Sequence, residues 1–398
     1  MGVGTVTDDG YQFRPEREEL RHTVAVDWDT TNAGPIEPVK SWATTTVKRV
    51  PATLFSTITG SNTVVTALEV DPVYGDIAAA LDRRGQVILY GPPGTGKTYA
   101  ARRAAVWLLD GGQKNAAAAN VLGDKALMTQ REQQLAGGGS NGRSSGGVDR
   151  LTRVTFHPSY AYEDFVEGFR PVSSAEGQGL QLSLVDGIFK RVCLAAAADP
   201  ANPYVILIDE INRGNIPKIF GELITLLEKD KRGLTVQLPQ SGTSFAVPAN
   251  VWLIGTMNTA DRSIHLLDSA LRRRFGFIEL LPDPEVLTGA SVGPLALDTF
   301  LERLNQEIRQ RVGREKQLGH ALLFDGADIV DSPEAFTAMF RHEILPLLQE
   351  YLYEDYKELA ELLGPVIDAE SERPSSLVDE PEALCAALAD HLDAVVDG

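Results

Sequence analysis

The residues best suited to chemistry in this sequence begin with GPPGTGKT at residues 91–98. Its glycines let the backbone turn N–H groups inward onto an anion, and a helix N-terminus just after them adds a favourable dipole. In a GxxxxGKT pattern the lysine reaches the β- and γ-phosphates of a nucleotide and the threonine hydroxyl binds magnesium. The apolar run QVILY, typical of a buried parallel strand, precedes it and makes the pattern more specific than a glycine-rich turn alone. We therefore predict a phosphate-binding loop (P-loop) formed by Gly91, Pro92, Pro93, Gly94, Thr95, Gly96, Lys97 and Thr98.

Two adjacent carboxylates, Asp209 and Glu210, end the apolar run YVILIDE. At a strand end beside a P-loop, the aspartate is expected to hold magnesium and the glutamate to polarise the attacking water. The two carboxylates could instead cap the next helix, but the P-loop disfavours that interpretation. Glu210 favours hydrolysis over nucleotide binding alone.

A polar residue and a basic run follow. Asn258 ends the strand-like VWLIGTMN, where it is expected to orient the lytic water or, alternatively, to satisfy a turn. In LRRRF, residues 271–275, each arginine is a permanent planar cation suited to a transferring phosphoryl group. Three in a row cannot all face one nucleotide, so one or two are expected to serve a neighbouring subunit; the alternative is a basic helix end interacting with its own dipole. The predicted catalytic residues are Lys97, Glu210, Asn258, Arg272 and Arg273, and the predicted magnesium ligands are Thr98 and Asp209.

The elements that must position these residues follow an α/β pattern. Residues 76–284 alternate helices with buried strands, which predicts a parallel, doubly wound sheet. Residues 285–398 have apolar positions at i, i+3, i+4 spacing and predict a helical domain. Residues 1–75 read as a small β-rich segment, with strands predicted at residues 23–28 and 44–50. The Gly-, Ala-, Ser- and Asn-rich residues 111–150 are expected to form a flexible insertion, because they bury too little apolar surface. A β-hairpin is predicted at about residues 233–249.

The composition is that of a globular chain of 398 residues, long enough for two or three domains. Its apolar runs are far shorter than the roughly 18–20 residues of a membrane span, and a cytoplasmic protein without membrane partners is expected. The only cysteines, Cys193 and Cys385, fit a reducing compartment. Of the net charge of −18, nearly all falls in residues 286–398, which carry 8 basic and 23 acidic residues. That part should repel nucleic-acid phosphates, although the excess also fits an ordinary solvated surface.

Taken together, GPPGTGKT, ILIDEINRGN, GTMNTADRSI and LDSALRRRF resemble the AAA+ class. More narrowly they resemble the McrB family, GTP-hydrolysing motor subunits of modified-cytosine restriction systems. The most family-specific segments are residues 156–171, 186–193 and 257–264. The resemblance is close over residues 76–284 and loose in the helical end. It implies an α/β AAA+ core with a parallel sheet, a helical lid domain and a small β-rich segment before them.

The resemblance also implies an activity and partners. The substrate would be GTP or ATP with Mg²⁺, and the chain would form a ring, expected to be a hexamer. A separate McrC-like nuclease subunit would cut DNA bearing modified cytosine, since no nuclease motif is visible in this sequence. Asp209 and Glu210 would be the Walker B pair, Asn258 sensor 1, and one of the three consecutive arginines the trans finger. Arg213 and Asp261-Arg262 match family positions near the subunit interface.

Some features depart from the family pattern. QLGHALLF, residues 317–324, resembles the family's Gly-His lid segment but departs after the histidine, so no sensor 2 arginine is assigned. Family members carry an N-terminal domain that reads modified bases, and residues 1–75 resemble only the end of such a reader.

The hairpin at 233–249 resembles the pre-sensor 1 insertion shared with MoxR-like proteins. Two alternatives therefore stay open: a MoxR-like ATPase that remodels protein clients, and a nucleotide-gated module that binds DNA or a partner with little turnover.

Overall fold

The computed structural model describes residues 3–13, 22–29, 70–136, 149–173, 180–260, 269–326 and 328–394. The predicted strand at residues 44–50 and the segment 261–268, with Asp261 and Arg262, lie outside these ranges. Among the described residues, no helix has the length and apolar character needed to cross a bilayer. Up to residue 135 the elements are β1 (Val3–Phe13), β2 (His22–Asp29), α1 (Pro72–Arg84), β3 (Gln86–Gly91), α2 (Lys97–Leu109), α3 (Ala116–Gly123) and α4 (Lys125–Leu135).

The later elements alternate strands with helices and then become mainly helical. Between residues 151 and 279 the elements are β4 (Leu151–Thr155), α5 (Tyr162–Phe165), β5 (Glu167–Ser173), β6 (Leu180–Asp186), α6 (Ile188–Ala198), β7 (Tyr204–Asp209), α7 (Ile216–Phe220), β8 (Thr235–Gln237), β9 (Ser244–Ala246), β10 (Val251–Asn258), α8 (Ser269–Arg274) and β11 (Gly276–Glu279). The helices that follow are α9 (Leu297–Arg311), α10 (Pro333–Met339), α11 (Leu345–Tyr351), α12 (Tyr356–Leu363) and α13 (Pro381–Ala394). Short 3₁₀ turns connect many of these elements.

The chain divides into two compact units, of which the first comprises Met1–Asp71 and Asp110–Arg131. In it β1 and β2 pair as an antiparallel hairpin, with Val3 opposite Asp29 and a register shift between Val6 and Tyr11. The strand predicted at residues 23–28 is confirmed by β2.

The expectation of a flexible insertion over residues 111–150 is wrong for its first half, where α3 and α4 form. The reason is local. The Asn115 side chain caps α3 by accepting from Ala117 N at 3.1 Å, and alanine is the best helix former. Asp124 accepts from two backbone N–H groups at the start of α4, and Arg131 forms an ion pair with Asp110 at 2.6 Å. Residues 137–148 are outside the described part.

The second unit, Pro72–Leu109 with Glu132–Gly398, contains a five-stranded sheet in the order β11-β3-β10-β7-β4. All four pairings are parallel, which confirms the predicted sheet. The residue opposite Gly91 in the register is Asn258, and Thr155 lies opposite Asp209. The carboxyl ends of β3, β10 and β7 therefore meet at one edge, which is where an open parallel sheet binds ligands.

Two antiparallel hairpins accompany the sheet. The predicted hairpin at 233–249 is confirmed by β8 and β9. The β5–β6 hairpin was not predicted, and Phe169 and Leu182 on it are 55% and 62% exposed. Residues 180–184 alternate leucine with polar residues, which is the pattern of a half-buried strand, so this strand was open to prediction from the sequence.

The sheet and the helical end each have a hydrophobic core. One side of the sheet packs on an aromatic cluster in which the rings of Phe165 and Phe189 stack at 5.0 Å. The helical end, α9 to α13, encloses its own core around Phe300 and Phe336. Its helices confirm the predicted periodicity, but a π-helical turn, Phe340–Ile344, separates α10 from α11. Three two-stranded ribbons also occur there that the helical prediction did not include.

Candidate functional site

The P-loop connects β3 to α2 and takes conformations that only glycine adopts easily. Gly94 and Gly96 have φ values of 73° and 74°, in the left-handed region. Lys97 is the first residue of α2 and is only 6% exposed. Its ammonium group donates to the carbonyls of Gly91 at 3.0 Å and Pro92 at 2.6 Å. The predicted lysine is thus folded over the loop that it is expected to serve.

Asp209 lies at the end of β7, directly beside the start of α2. The Thr98 hydroxyl donates to its Oδ1 at 3.0 Å, and the Thr256 hydroxyl donates to the same oxygen. Two hydroxyl donors on one oxygen fix the orientation of the carboxylate. Hydroxyl and carboxylate oxygens are the ligands that Mg²⁺ prefers, so the pair predicted as magnesium ligands fits this ion chemically.

Glu210 is held by donors on both of its carboxylate oxygens. Asn258 Nδ2 donates to Oε1 at 2.9 Å, and Arg213 Nε donates to Oε2 at 3.1 Å. The backbone of Glu210 has a φ of 52°, in the left-handed region. Such a conformation costs about 1–3 kcal/mol in a residue other than glycine, so the surrounding contacts must hold it. The result is a carboxylate aimed at the edge where the P-loop lies.

The helical end contacts the P-loop through its backbone. Gly319 N donates to Pro93 O at 3.0 Å, and Ala321 N donates to Gly94 O at 2.8 Å. A Cβ placed on Gly319 would lie 1.9 Å from the carbonyl carbon of Gly94. Only glycine permits this approach, so the segment 317–324 is shaped to fit the loop.

His320 sits at the centre of this contact. Asp283 N donates to its Nδ1 at 3.1 Å, so the neutral ring carries its proton on Nε2. That nitrogen faces Gly96, because a Cβ on this glycine would lie 3.6 Å from it. Burial lowers the pKa of His320, and the Asp283 carboxylate opposes this only in part. A neutral N–H donor thus points at the phosphate-binding turn.

The consecutive arginines have different surroundings. Arg274 is 15% exposed and forms an ion pair with Glu228 at 2.7 Å. Arg272 and Arg273 are exposed, and neither side chain has an ion-pair partner within the described part of the chain. Of the three, Arg272 and Arg273 are therefore the ones open to an outside group.

These arginines lie at the opposite edge of the sheet from the P-loop. They precede Gly276, which pairs with Val87 near the beginning of β3, whereas the P-loop follows the end of that strand. Strands rise about 3.3 Å per residue, so the two edges are roughly 16 Å apart, farther than one side chain spans. The arginines cannot serve the P-loop of their own chain.

The structure brings most of the predicted residues together: the P-loop, Asp209, Glu210 and Asn258 share one edge, while Arg272 and Arg273 do not. The sequence reasoning missed Thr256, although it stands two residues before Asn258 in the same strand and so shares its face. It assigned no role to His320, whose position depends on the contact between the helical end and the loop. No local pattern reveals such a contact.

Two family models match the chain. One, described as "McrB, alpha-helical lid domain", covers residues 296–360, and the other, "AAA domain (dynein-related subfamily)", covers residues 148–275. The first match includes the segment 317–324, which contacts the P-loop. The second includes Asp209, Glu210, Asn258 and the three consecutive arginines, Arg272–Arg274.

Two relatives are subunits of restriction enzymes. The type IV methyl-directed restriction enzyme EcoKMcrB subunit of Escherichia coli K12 is 35% identical over 302 residues, 71% of this chain and 57% of that protein. The type II restriction enzyme BsuMI component YdiS of Bacillus subtilis is 24% identical over 277 residues, 58% of this chain and 70% of that protein. The chain therefore spans little more than half the length of the E. coli subunit. With the parallel sheet, the P-loop edge and the docked helical lid, these matches show that the chain belongs to the McrB-type family of AAA+ P-loop proteins.

Proposed function

We propose that this chain is a nucleoside triphosphatase that works as the motor subunit of a restriction complex. The observation that carries the proposal is the meeting of Asp209, Glu210 and Asn258 with Thr98 at one edge of the sheet. Nucleotide binding alone needs the P-loop, but it does not need a carboxylate held by an amide beside it. We assign residues 76–284 to the motor core, 285–398 to the lid and 1–75 to a separate N-terminal segment.

Each residue has a part in the proposed hydrolysis. The P-loop N–H groups and Lys97 bind the phosphates, and Thr98 with Asp209 would hold Mg²⁺, which neutralises charge on the β- and γ-phosphate oxygens. Glu210 accepts a proton from the attacking water while Asn258 orients that water. The bond from water oxygen to the γ-phosphorus forms as the bond to the β-phosphate oxygen breaks, leaving nucleoside diphosphate and phosphate.

A second copy of the chain completes the site in this proposal. Arg272 or Arg273 of one copy stabilises charge on the γ-phosphate bound by the next, since neither reaches its own P-loop. Repetition of this head-to-tail contact closes a ring, for which we propose a hexamer.

The finer assignment is GTP as the nucleotide and DNA with modified cytosine as the target, cut by a separate McrC-like nuclease subunit. It is supported by the resemblance of residues 257–264 to the McrB family and by the E. coli relative's description as a methyl-directed restriction subunit. The acidic lid makes a contact between DNA and the core, the N-terminal segment or the partner more favourable than one with the lid.

Steady-state hydrolysis of GTP and of ATP, measured side by side with Mg²⁺, tests the proposal. We expect turnover of GTP with a clear preference over ATP, and none for Lys97→Ala. A strong preference for ATP would contradict the GTP assignment and favour the MoxR-like alternative. Tight nucleotide binding with no turnover, alone or with the nuclease subunit, would favour a nucleotide-gated module instead.

A further inference from the structure

A buried polar network lies beneath the arginine-bearing helix α8. At its centre is Gln86, the first residue of β3, with no exposed surface. Its Nε2 donates to the backbone carbonyls of Arg274 at 2.5 Å and Leu227 at 2.9 Å. Its Oε1 accepts from Arg232 Nη2 at 2.8 Å. Both amide hydrogens and the carbonyl oxygen are thus used, which leaves the side chain one orientation.

Arg232 extends the network into the core. Its guanidinium donates to three backbone carbonyls, those of Leu227, Pro248 and Val251, at 3.0–3.2 Å. Burial lowers the pKa of Arg232 to about 10, which leaves it protonated at neutral pH. A buried cation is costly, and a fixed set of acceptors is what allows it to remain. Gln86 is therefore backed by a rigid group.

The free end of α8 is held from a second side. Arg84, the last residue of α1, donates through Nη1 to the backbone carbonyl of Arg273. The last carbonyls of a helix have no partner within it, so these two contacts supply partners for the carbonyls of Arg273 and Arg274. Arg84, Gln86, Arg273 and Arg274 also line an open cleft of about 830 Å³ at this edge of the sheet. The contacts thus fix the backbone that carries the exposed arginines.

We propose that Arg84 and Gln86, backed by Arg232, are positioning residues that hold the arginine of α8 in the geometry required by the neighbouring copy's nucleotide. The inference rests on the proposed function, because it needs an arginine that acts in trans. Arg84 and Gln86 together form a clamp on the carbonyls of Arg273 and Arg274, so a displaced clamp moves the arginine directly. A misplacement of about 1 Å near a reacting group can lower turnover by roughly 100-fold.

Two variants separate the clamp from the stability of the fold. Arg84→Met removes only the contact to Arg273 O, on a half-buried side chain. Gln86→Glu keeps an acceptor for Arg232 but loses the donated bonds to both Arg274 O and Leu227 O. Arg83→Met is the matched control, because Arg83 is an exposed neighbour with no side-chain partner in the described part of the chain.

The measurements are nucleotide affinity, kcat and KM for the 398-residue chain, and kcat after mixing with excess Glu210→Gln chains. We expect both clamp variants to bind nucleotide normally, to keep their KM and to lose about 10- to 100-fold in kcat. Mixing should restore their hydrolysis, because Glu210→Gln chains have an inactive site of their own but an intact finger. Arg83→Met should match the wild type.

The outcomes distinguish the clamp from the proposed function. Normal kcat in both clamp variants, with lost kcat in Arg273→Ala or Arg272→Ala, would overturn the clamp alone. Lost kcat that mixing fails to restore, where it restores the finger variants, would indicate a structural role and also overturn it. Normal kcat in both Arg272→Ala and Arg273→Ala would contradict the proposal that an arginine of α8 acts in trans, and the clamp proposal would fall with it.

Discussion

At the scale of single residues, the geometry of Glu210 is the most informative. Both carboxylate oxygens are held, one by the amide of Asn258 and the other by the guanidinium of Arg213. Its backbone is in the left-handed region, with a φ of 52°. A residue that only capped the following turn would not need either feature. Its 3₁₀ turn receives no side-chain cap from it.

Replacing Glu210 by Gln should separate binding from hydrolysis. The amide keeps the size of the side chain and an acceptor for Asn258, but it cannot take the proton of the attacking water. We expect nucleotide affinity within a few-fold of the wild type and turnover lowered by about 10²–10⁴, as for loss of a general base. Equilibrium nucleotide binding and phosphate release measure the two effects. The matched control is Glu302→Gln, an exposed carboxylate on α9, which should behave as wild type; turnover retained in Glu210→Gln would remove its assigned role.

At the scale of elements, the contact between lid and P-loop depends on one missing side chain. Gly319 has an ordinary extended φ of −79°, so an alanine there meets no backbone strain. Its Cβ would nevertheless lie 1.9 Å from the carbonyl carbon of Gly94. Backbone atoms cannot move aside as a flexible side chain can, so the segment 317–324 must move away from the P-loop.

We expect Gly319→Ala to weaken lid docking by about 1–3 kcal/mol, the range for overpacked sites. Nucleotide affinity should fall about tenfold or more, since 1.4 kcal/mol corresponds to a factor of ten. Gly293→Ala is the control: its φ of 58° strains an alanine, but nothing lies near the added methyl group. Both variants should melt at lower temperature, and only Gly319→Ala should bind nucleotide more weakly. Equal affinities by titration would contradict the docking argument.

The same contact should respond to pH through His320. Burial lowers the pKa of His320 below its ordinary value of 6.5, so in mild acid the unfolded chain takes up this proton before the folded chain does. The stability contribution of the neutral ring is therefore present above about pH 6.5 and is lost as the pH falls towards the lowered pKa. The wild type should lose more stability between pH 7.5 and 5.5 than His320→Asn, which keeps an acceptor for Asp283 N but does not titrate. Unfolding midpoints across this range measure the difference, and parallel curves would contradict it.

The same elements show which parts of the fold are readable from sequence. The central strands are buried on both faces and read as continuous apolar runs, and so the polar residues that end them were found. Residues 116–135 were misjudged, because a composition rich in small residues also suits a capped helix. The contacts of His320 and Gln86 join segments far apart in the chain. Their partners are set by tertiary packing, which no local pattern records.

At the scale of the whole molecule, the P-loop and the exposed arginines lie at opposite edges of the sheet. The P-loop edge binds phosphate but holds no arginine of the α8 run. The other edge presents Arg272 and Arg273 but has no P-loop. Each edge lacks what the other carries, and under the proposed function copies standing head to tail would complete one another's sites. An isolated chain should bind nucleotide and hydrolyse it poorly.

Hydrolysis per chain should therefore rise with protein concentration. Below the assembly range each site lacks its partner's arginine, whereas above it every site in a closed ring is complete and the rate per chain reaches a plateau. Nucleotide affinity should vary much less over the same range, because the P-loop belongs to one chain. Arg273→Ala or Arg272→Ala should lower the plateau by about 10³-fold or more, as for loss of an arginine finger, while Arg309→Ala on the exposed side of α9 should not. Light scattering on the same samples fixes the assembly state, and a constant rate per chain down to concentrations where the protein is monomeric would show that each chain completes its own site.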